Sequence, residues 1–271
     1  TYTVEEATFD SFKGIDIALF AGGSISKDFA PHAVKAGAVV IDNSSAFRMD
    51  PEVPLVVPEV NPQAILKHKG IIANPNCSTI IMVMALKPIY DLAKIKRVIV
   101  STYQAVSGAG KEGIDELDAQ VRDHSEGREM TANILPSASA EKHYPIAFNL
   151  IPQIDVFCDN LYTKEEMKMV NETKKIMEDY EMRITATTIR VPVYRSHSES
   201  VNIELEKEVD LGAMREALAK FPGVTVQDDP SKQEYPMPLY TSEKDDVYVG
   251  RLRRDESCEK SYNIWVVGDQ I

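Results

Sequence analysis

Apolar and polar positions divide the chain into two rhythms. Residues 15–20, IDIALF, form a short apolar run that stops at AGGS (21–24), the pattern of a buried strand closed by a tight turn. Residues 26–36 carry a helical pattern, and GAVVIDNSS (37–45) is a second buried strand ending in polar residues. LVVPEVN and GIIANPN continue with short apolar pieces broken by prolines. Strand, helix, strand with continuous apolar runs predicts a parallel α/β sheet over residues 1–76.

From Cys77 onward the rhythm changes. IIMVMALKPI reads as a buried helix, with Ser78 or Thr79 as its cap. RVIVSTYQAV (97–106) is strongly β, and KEGIDELDAQVRDH (111–124) predicts a polar helix whose Ile114, Leu117, Val121 stripe packs on a core. Residues 125–143 lack periodicity and predict a long surface loop. TKEEMKMVNETKKIMEDY (163–180) predicts a helix capped by Thr163, with early acids and later lysines. RITATTIRVPVY and ESVNIELEKEV alternate like paired, half-buried strands, DLGAMREALAKF is a short amphipathic helix, and DVYVGRLRRD and SYNIWVVGDQ add two strands. The expectation for 77–271 is an α+β domain with a mixed or antiparallel sheet. No internal repeat or low-complexity linker is visible.

Bulk properties narrow the class. A formal net charge of −12 argues against a nucleic-acid binder, which carries a basic face. No run approaches the roughly 20 apolar residues of a membrane span, and no signal peptide is visible. The cysteines, Cys77, Cys158 and Cys258, are far apart and odd in number, so neither a disulfide framework nor a metal site is expected. A reducing, cytoplasmic setting fits this usage.

Candidate chemistry gathers at a few segments. Pro75 and Asn76 make a turn before Cys77, and a thiol at a helix start feels the positive end of the dipole, which favours the reactive thiolate. Burial for packing is the alternative at this point. NSSAFRMD (43–50) puts Arg48 just past a strand end, where it is either solvated or an anion ligand. STYQAVSGAGKEG (101–113) ends a strand at Gln104; Ser107, Gly108 and Gly110 would let backbone N–H groups approach a phosphate or nicotinamide, or simply make a turn. In IRVPVYRSHSES (189–200), Pro192 implies a bend through which Arg190 and His197 could converge. Glu165 and Lys168, three apart on one helix, share a face as an ion pair or as two ligands. Gly22 and Gly23 follow the first strand without a G-x-G-x-x-G, so they are a weak nucleotide signal.

Together NPNCST, STYQAVSGAG, KEEMKMVNETKKI, IRVPVYRSHS, VGRLRRD and VVGDQ resemble the bacterial-type aspartate-semialdehyde dehydrogenase family, in order and spacing, over essentially the whole chain. The resemblance implies a partial Rossmann-like parallel-sheet NADP-binding domain (1–76), followed by an α+β catalytic and dimerisation domain with a mixed sheet (77–271). The family's opening Gly-rich turn and its closing helix lie outside this sequence. The implied reaction is the reversible reductive dephosphorylation of L-aspartyl-4-phosphate to L-aspartate-4-semialdehyde with NADPH, through a cysteine thioester, in lysine, threonine, methionine and diaminopimelate biosynthesis.

The resemblance also implies roles. Cys77 is the nucleophile, His197 the acid/base and Gln104 the residue orienting the acyl group. Arg190 clamps the substrate α-carboxylate, Glu165 meets its amino group, and Arg48, Lys168 and Asn76 hold phosphate, so Glu165 and Lys168 are expected to face different parts of the substrate rather than each other. Gly22, Gly23, Ser24, Ser107, Gly108, Gly110 and Gln270 are implied in cofactor binding. The partners are aspartyl phosphate, aspartate semialdehyde and phosphate, with a homodimer or dimer of dimers and neither nucleic acid nor membrane. Three rivals remain. An N-acetyl-glutamyl-phosphate reductase would not need Glu165, because its substrate amine is acetylated. A non-catalytic dimerising fragment and a Cys77–His197 hydrolase are the others.

Overall fold

The structure, a computed structural model, describes residues 3–271. The chain forms two compact units: the residues up to Asn76 with Lys175–Glu178, and Cys77–Lys174 with Asp179–Ile271.

In the first unit β1 (Ile17–Phe20), α1 (Ser26–Lys35), β2 (Val39–Asp42) and β3 (Ile71–Ala73) make a three-stranded parallel sheet in the order β1-β2-β3. Alternation along β1 buries Ala18 against Ala30 and Ala33 of α1 and Val40 of β2. Phe12, Phe20, Phe47 and Ile71 close around this small core. Pro58, with Pro54 and Pro62 on either side, leaves LVVPEVN without a strand; Leu55 alone bridges Ala73 in parallel.

The second unit opens with α2 (Cys77–Leu92), so the helix begins at the cysteine itself, ahead of the expected Ser78 or Thr79 cap. Nearly every side of α2 is buried, as a helix apolar all round requires. There follow β4 (Ile95–Gln104), α3 (Lys111–Ser125), α4 (Lys164–Ile176), β5 (Arg183–Arg190), β6 (His197–Leu205), α5 (Leu211–Lys220), β7 (Val224–Val226), α6 (Pro238–Thr241), β8 (Val247–Arg254) and β9 (Ser261–Gly268). The strands form a six-stranded mixed sheet, β5-β4-β6-β9-β8-β7. β5 and β6 alternate as expected but do not pair with each other: β4 lies between them, parallel to β5 and antiparallel to β6. The link between β5 and β6 is therefore no hairpin, and β4 supplies hydrogen bonds to both. α2 and α5 pack together over the sheet.

Two helices differ from the sequence pattern. On α3, Leu117 is buried and Ile114 packs beside it, but Val121 stays partly exposed. The rest of the inner face is polar: Gln120 Oε1 accepts from Ile146 N and Ala147 N, and Glu116 Oε2 from Asn133 N and Ile134 N. These side chains anchor the aperiodic segment, whose Leu135 reaches the core with Ile146 and Ile151. Burial of one such side chain contributes about 1.5–3 kcal/mol. α4 stops at Ile176, short of the expected 180, and starts with a reciprocal cap: Glu166 N donates to Thr163 Oγ1 at 3.2 Å, and Thr163 N to Glu166 Oε2 at 2.7 Å. Among the described residues no helix is long and apolar enough to cross a membrane.

Candidate active site

Three strand ends in the second unit meet at one level. Gln104 ends β4, Arg190 ends β5 in register with it, and His197 begins β6 opposite Gly268 of β9. Strand alternation turns all three side chains inward, and each is buried. The bend at Pro192 does bring Arg190 and His197 together, and both meet the backbone of Ala105. Arg190 Nη1 donates to Ala105 O at 2.6 Å, while Ala105 N donates to His197 Nδ1 at 3.0 Å.

Cys77, the first residue of α2, places Sγ 3.5 Å from His197 Nε2. Because Nδ1 accepts a backbone N–H, the neutral ring carries its proton on Nε2, facing the sulfur. Burial first, then the adjacent Arg190 charge, push the His197 pKa down to about 3, so the resting ring is neutral. A thiolate at this point would accept from Nε2–H, lie at a helix start and feel the Arg190 guanidinium. Among the described residues no carboxylate hydrogen-bonds the imidazole, as a hydrolase triad would use; a main-chain amide does.

The other polar groups form a chain. Thr102 Oγ1 donates to Gln104 Oε1 at 2.9 Å, and Gln104 Nε2 donates to Glu165 Oε1 at 3.1 Å. Glu165 Oε2 meets Lys168 Nζ at 3.0 Å, and Lys168 also reaches Asp155 at 3.1 Å. Glu165 and Lys168 thus do form the ion pair that the family roles set aside. Arg190 Nε, at 3% residue exposure, has no hydrogen-bond partner among the described residues. Desolvation lowers the Arg190 pKa, opposed by the nearby Glu165 and Cys77 charges. A buried guanidinium N–H left open beside a nucleophile fits a ligand carboxylate.

The 106–109 turn crosses this row closely: a Cβ on Gly108 would stand 2.8 Å from Arg190 Nη1 and 3.3 Å from His197 Cε1. Gly110 follows at φ +81°, a conformation that favours glycine. Gln270 has both ends of its amide engaged, accepting from Ser196 N at 3.1 Å and donating to Ser107 Oγ. In the first unit, Gly22, Gly23 and Ser24 are exposed where β1 ends, with Gly23 at φ +64°. Arg48 donates from Nε to Asn74 O and from Nη2 to Asn43 O, both at 2.9 Å; it and Asn76 are buried.

This geometry can be set beside known proteins. The semialdehyde dehydrogenase dimerisation domain matches residues 86–271, and the semialdehyde dehydrogenase NAD binding domain matches residues 1–68. The aspartate-semialdehyde dehydrogenase of Aquifex aeolicus is 57% identical over 274 residues, covering 100% of this chain and 79% of the relative. That of Bacillus subtilis is 54% identical over 271 residues, covering 99% and 78%. The chain belongs to the aspartate-semialdehyde dehydrogenase family. A crystal structure of the Vibrio cholerae aspartate semialdehyde dehydrogenase II complexed with ASA superposes with a TM-score of 0.90 at 46% identity, covering 96% of this chain and 75% of that one.

Sequence reasoning missed the parts of this cluster that carry no motif. Ala105 acts through its backbone, and Thr102 and Asp155 looked like ordinary strand and loop residues. Glu199 is different: it falls in phase with the inward Val201, Ile203 and Leu205, an acid on a core face that the alternation of β6 already displays.

Proposed function

We propose that this chain, as an aspartate-semialdehyde dehydrogenase, performs its chemistry on the row Arg190–Gln104–His197 with Cys77 as nucleophile. The observation that carries this reading is the Cys77 Sγ to His197 Nε2 contact of 3.5 Å beside the unpartnered Arg190 Nε.

In the oxidative direction the Cys77 thiolate attacks the aldehyde carbon of aspartate semialdehyde, forming a C–S bond. His197 Nε2–H, already directed at this point, donates to the developing oxyanion. Loss of hydride leaves an aspartyl thioester on Cys77, and phosphate oxygen then attacks the acyl carbon, expelling the thiolate and giving aspartyl-4-phosphate. The reductive direction reverses each step. Arg190 holds the substrate α-carboxylate through its open N–H, and Gln104 orients the acyl group. Glu165 meets the substrate amino group, exchanging part of its contact with Lys168, whose ammonium turns to phosphate. Arg48 and Asn76 contribute to phosphate binding, so Arg48→Leu raises the KM for phosphate.

NADP is the cofactor in this reading, and when bound it supplies the hydride acceptor. The residues present fit a nicotinamide cofactor: the exposed Gly22–Ser24 segment carries only small residues where β1 ends, and Gly108 and Gly110 leave two positions of the second loop without a side chain. Ser107 and Gln270 contribute from the second unit. The match to a dimerisation domain supports a homodimer.

The test compares phosphate-dependent NADP reduction by aspartate semialdehyde with the same assay on N-acetyl-glutamate semialdehyde, and with NAD in place of NADP. Activity on aspartate semialdehyde with NADP is expected. A preference for the acetylated substrate would replace the role of Glu165, and a preference for NAD the cofactor assignment.

A further inference from the structure

One row below the reacting residues, the sheet carries a second polar row that the mechanism does not use. Thr188 of β5, Thr102 of β4, Glu199 of β6 and Val266 of β9 are successive cross-strand partners. Each lies two residues along its strand from Arg190, Gln104, His197 and Gly268 respectively, and so faces the same side. Glu199 is 0% exposed, and neither of its carboxyl oxygens has a hydrogen-bond partner among the described residues. A buried acid with nothing to hold it is costly, and such groups call for an explanation. Its neighbour on one side is Val266, which offers nothing polar; on the other is Thr102, also fully buried.

We propose that Glu199 is a positioning residue for the reacting row, acting through Thr102: its carboxyl donates to the Thr102 hydroxyl and holds that hydroxyl on Gln104 Oε1. Directly opposed residues of an antiparallel pair have Cβ atoms about 4.5–5.5 Å apart, within reach of a glutamate side chain. The terminal torsion of glutamate is broad, so turning the carboxyl toward Thr102 costs little. Donor accounting fixes the direction. Thr102 has one O–H, and it is given to Gln104 at 2.9 Å, so its oxygen can only accept. Glu199 must therefore carry a proton, and full burial without a cation raises its pKa well above the ordinary carboxyl value, which keeps it protonated. The resulting relay runs Glu199, Thr102, Gln104, Glu165, and orients the amide that faces the acyl group.

The inference rests on the assignment of Gln104 to the reacting row, so the test carries a control for each. Glu199→Leu should lower kcat about tenfold, the effect of one hydrogen bond lost, with the KM for aspartate semialdehyde unchanged within about twofold. Glu199→Gln, whose amide N–H donates as the acid does, should keep kcat within about twofold. Thr102→Val combined with Glu199→Leu should be no worse than either alone. A fully active Glu199→Leu, or a Glu199→Gln as impaired as the leucine variant, overturns the proposal. If Gln104→Leu is also fully active, the row itself is misassigned; if Gln104→Leu is inactive beside an active Glu199→Leu, the relay alone fails. Should the leucine variant not fold, infrared spectroscopy decides: the C=O stretch of a protonated carboxylic acid at neutral pH, lost in Glu199→Gln, supports the relay, and its absence from the native protein refutes it.

Discussion

Gly108→Ala tests the site through one methyl group. The residue lies in the turn Val106–Ala109, and its φ is not positive, so the backbone accepts alanine without strain. The new Cβ would nevertheless stand 2.8 Å from Arg190 Nη1, 3.3 Å from His197 Cε1 and 3.4 Å from His197 Nε2. The first separation is too short for carbon and nitrogen, so the guanidinium must move. An exposed arginine would swing aside freely, but this one is buried and held by a 2.6 Å bond to Ala105 O. Displacing it weakens its charge-assisted hydrogen bond to the substrate carboxylate, worth about 1.5–3 kcal/mol, which is about tenfold to a hundredfold in kcat/KM. The strain on the bond to Ala105 O is only partly offset, because alanine in place of glycine restricts the unfolded chain by about 0.4–1 kcal/mol. The assay is phosphate-dependent NADP reduction with aspartate semialdehyde, alongside thermal unfolding. Wild-type kcat/KM, or a loss that only follows a lowered Tm, would refute the close passage of this loop over Arg190 and His197.

Three further outcomes follow from the same contacts. Arg190→Lys should lower kcat/KM by on the order of 3 kcal/mol, about a hundredfold, because an ammonium cannot reproduce a two-toothed carboxylate contact; near-native kinetics would take Arg190 out of the site. His197 has a folded pKa near 3 against 6.5 ordinarily, so the unfolded chain takes up its proton first as pH falls. Its contribution to stability is full above about pH 6.5 and is lost toward pH 3, by roughly 4–5 kcal/mol at most; urea midpoints of native protein and His197→Gln that stay parallel across that window would contradict this. Glu199 has the opposite sign: its raised pKa leaves stability intact below about 4.5 and erodes it as pH rises, so Glu199→Gln should be more stable than the native protein at neutral pH and equal to it at pH 4. Equal midpoints at both pH values would mean that the carboxyl is not desolvated.

What the sequence disclosed and what it hid differ in kind. The IDIALF and GAVVID runs, the Thr163 cap and the β4 pattern rest on local periodicity and capping, which one segment expresses by itself. The pairing of β5 and β6 with β4, rather than with each other, depends on contacts between segments distant in sequence, such as Arg97 with Arg183 and Ile95 with Leu205, which no local pattern records. The site divides likewise. Cys77, Gln104, Arg190 and His197 stood out because they lie in motif-bearing stretches at strand or helix ends. The amide of Ala105, which selects the His197 tautomer, has no side-chain signature at all. The Glu165–Lys168 pair shows how a helical spacing of three can be read two ways when only the folded neighbours, here Asp155 and Gln104, decide it.

The central claim is that Cys77 carries the acyl group. Intact-mass spectrometry of the protein incubated with aspartate semialdehyde and NADP, with phosphate left out, tests it most directly. Without the attacking phosphate an aspartyl thioester should accumulate, map by peptide analysis to Cys77 rather than Cys158 or Cys258, disappear on adding phosphate and be absent from Cys77→Ser. An unmodified Cys77 under conditions where NADP is reduced, or an adduct on another cysteine, would contradict the account.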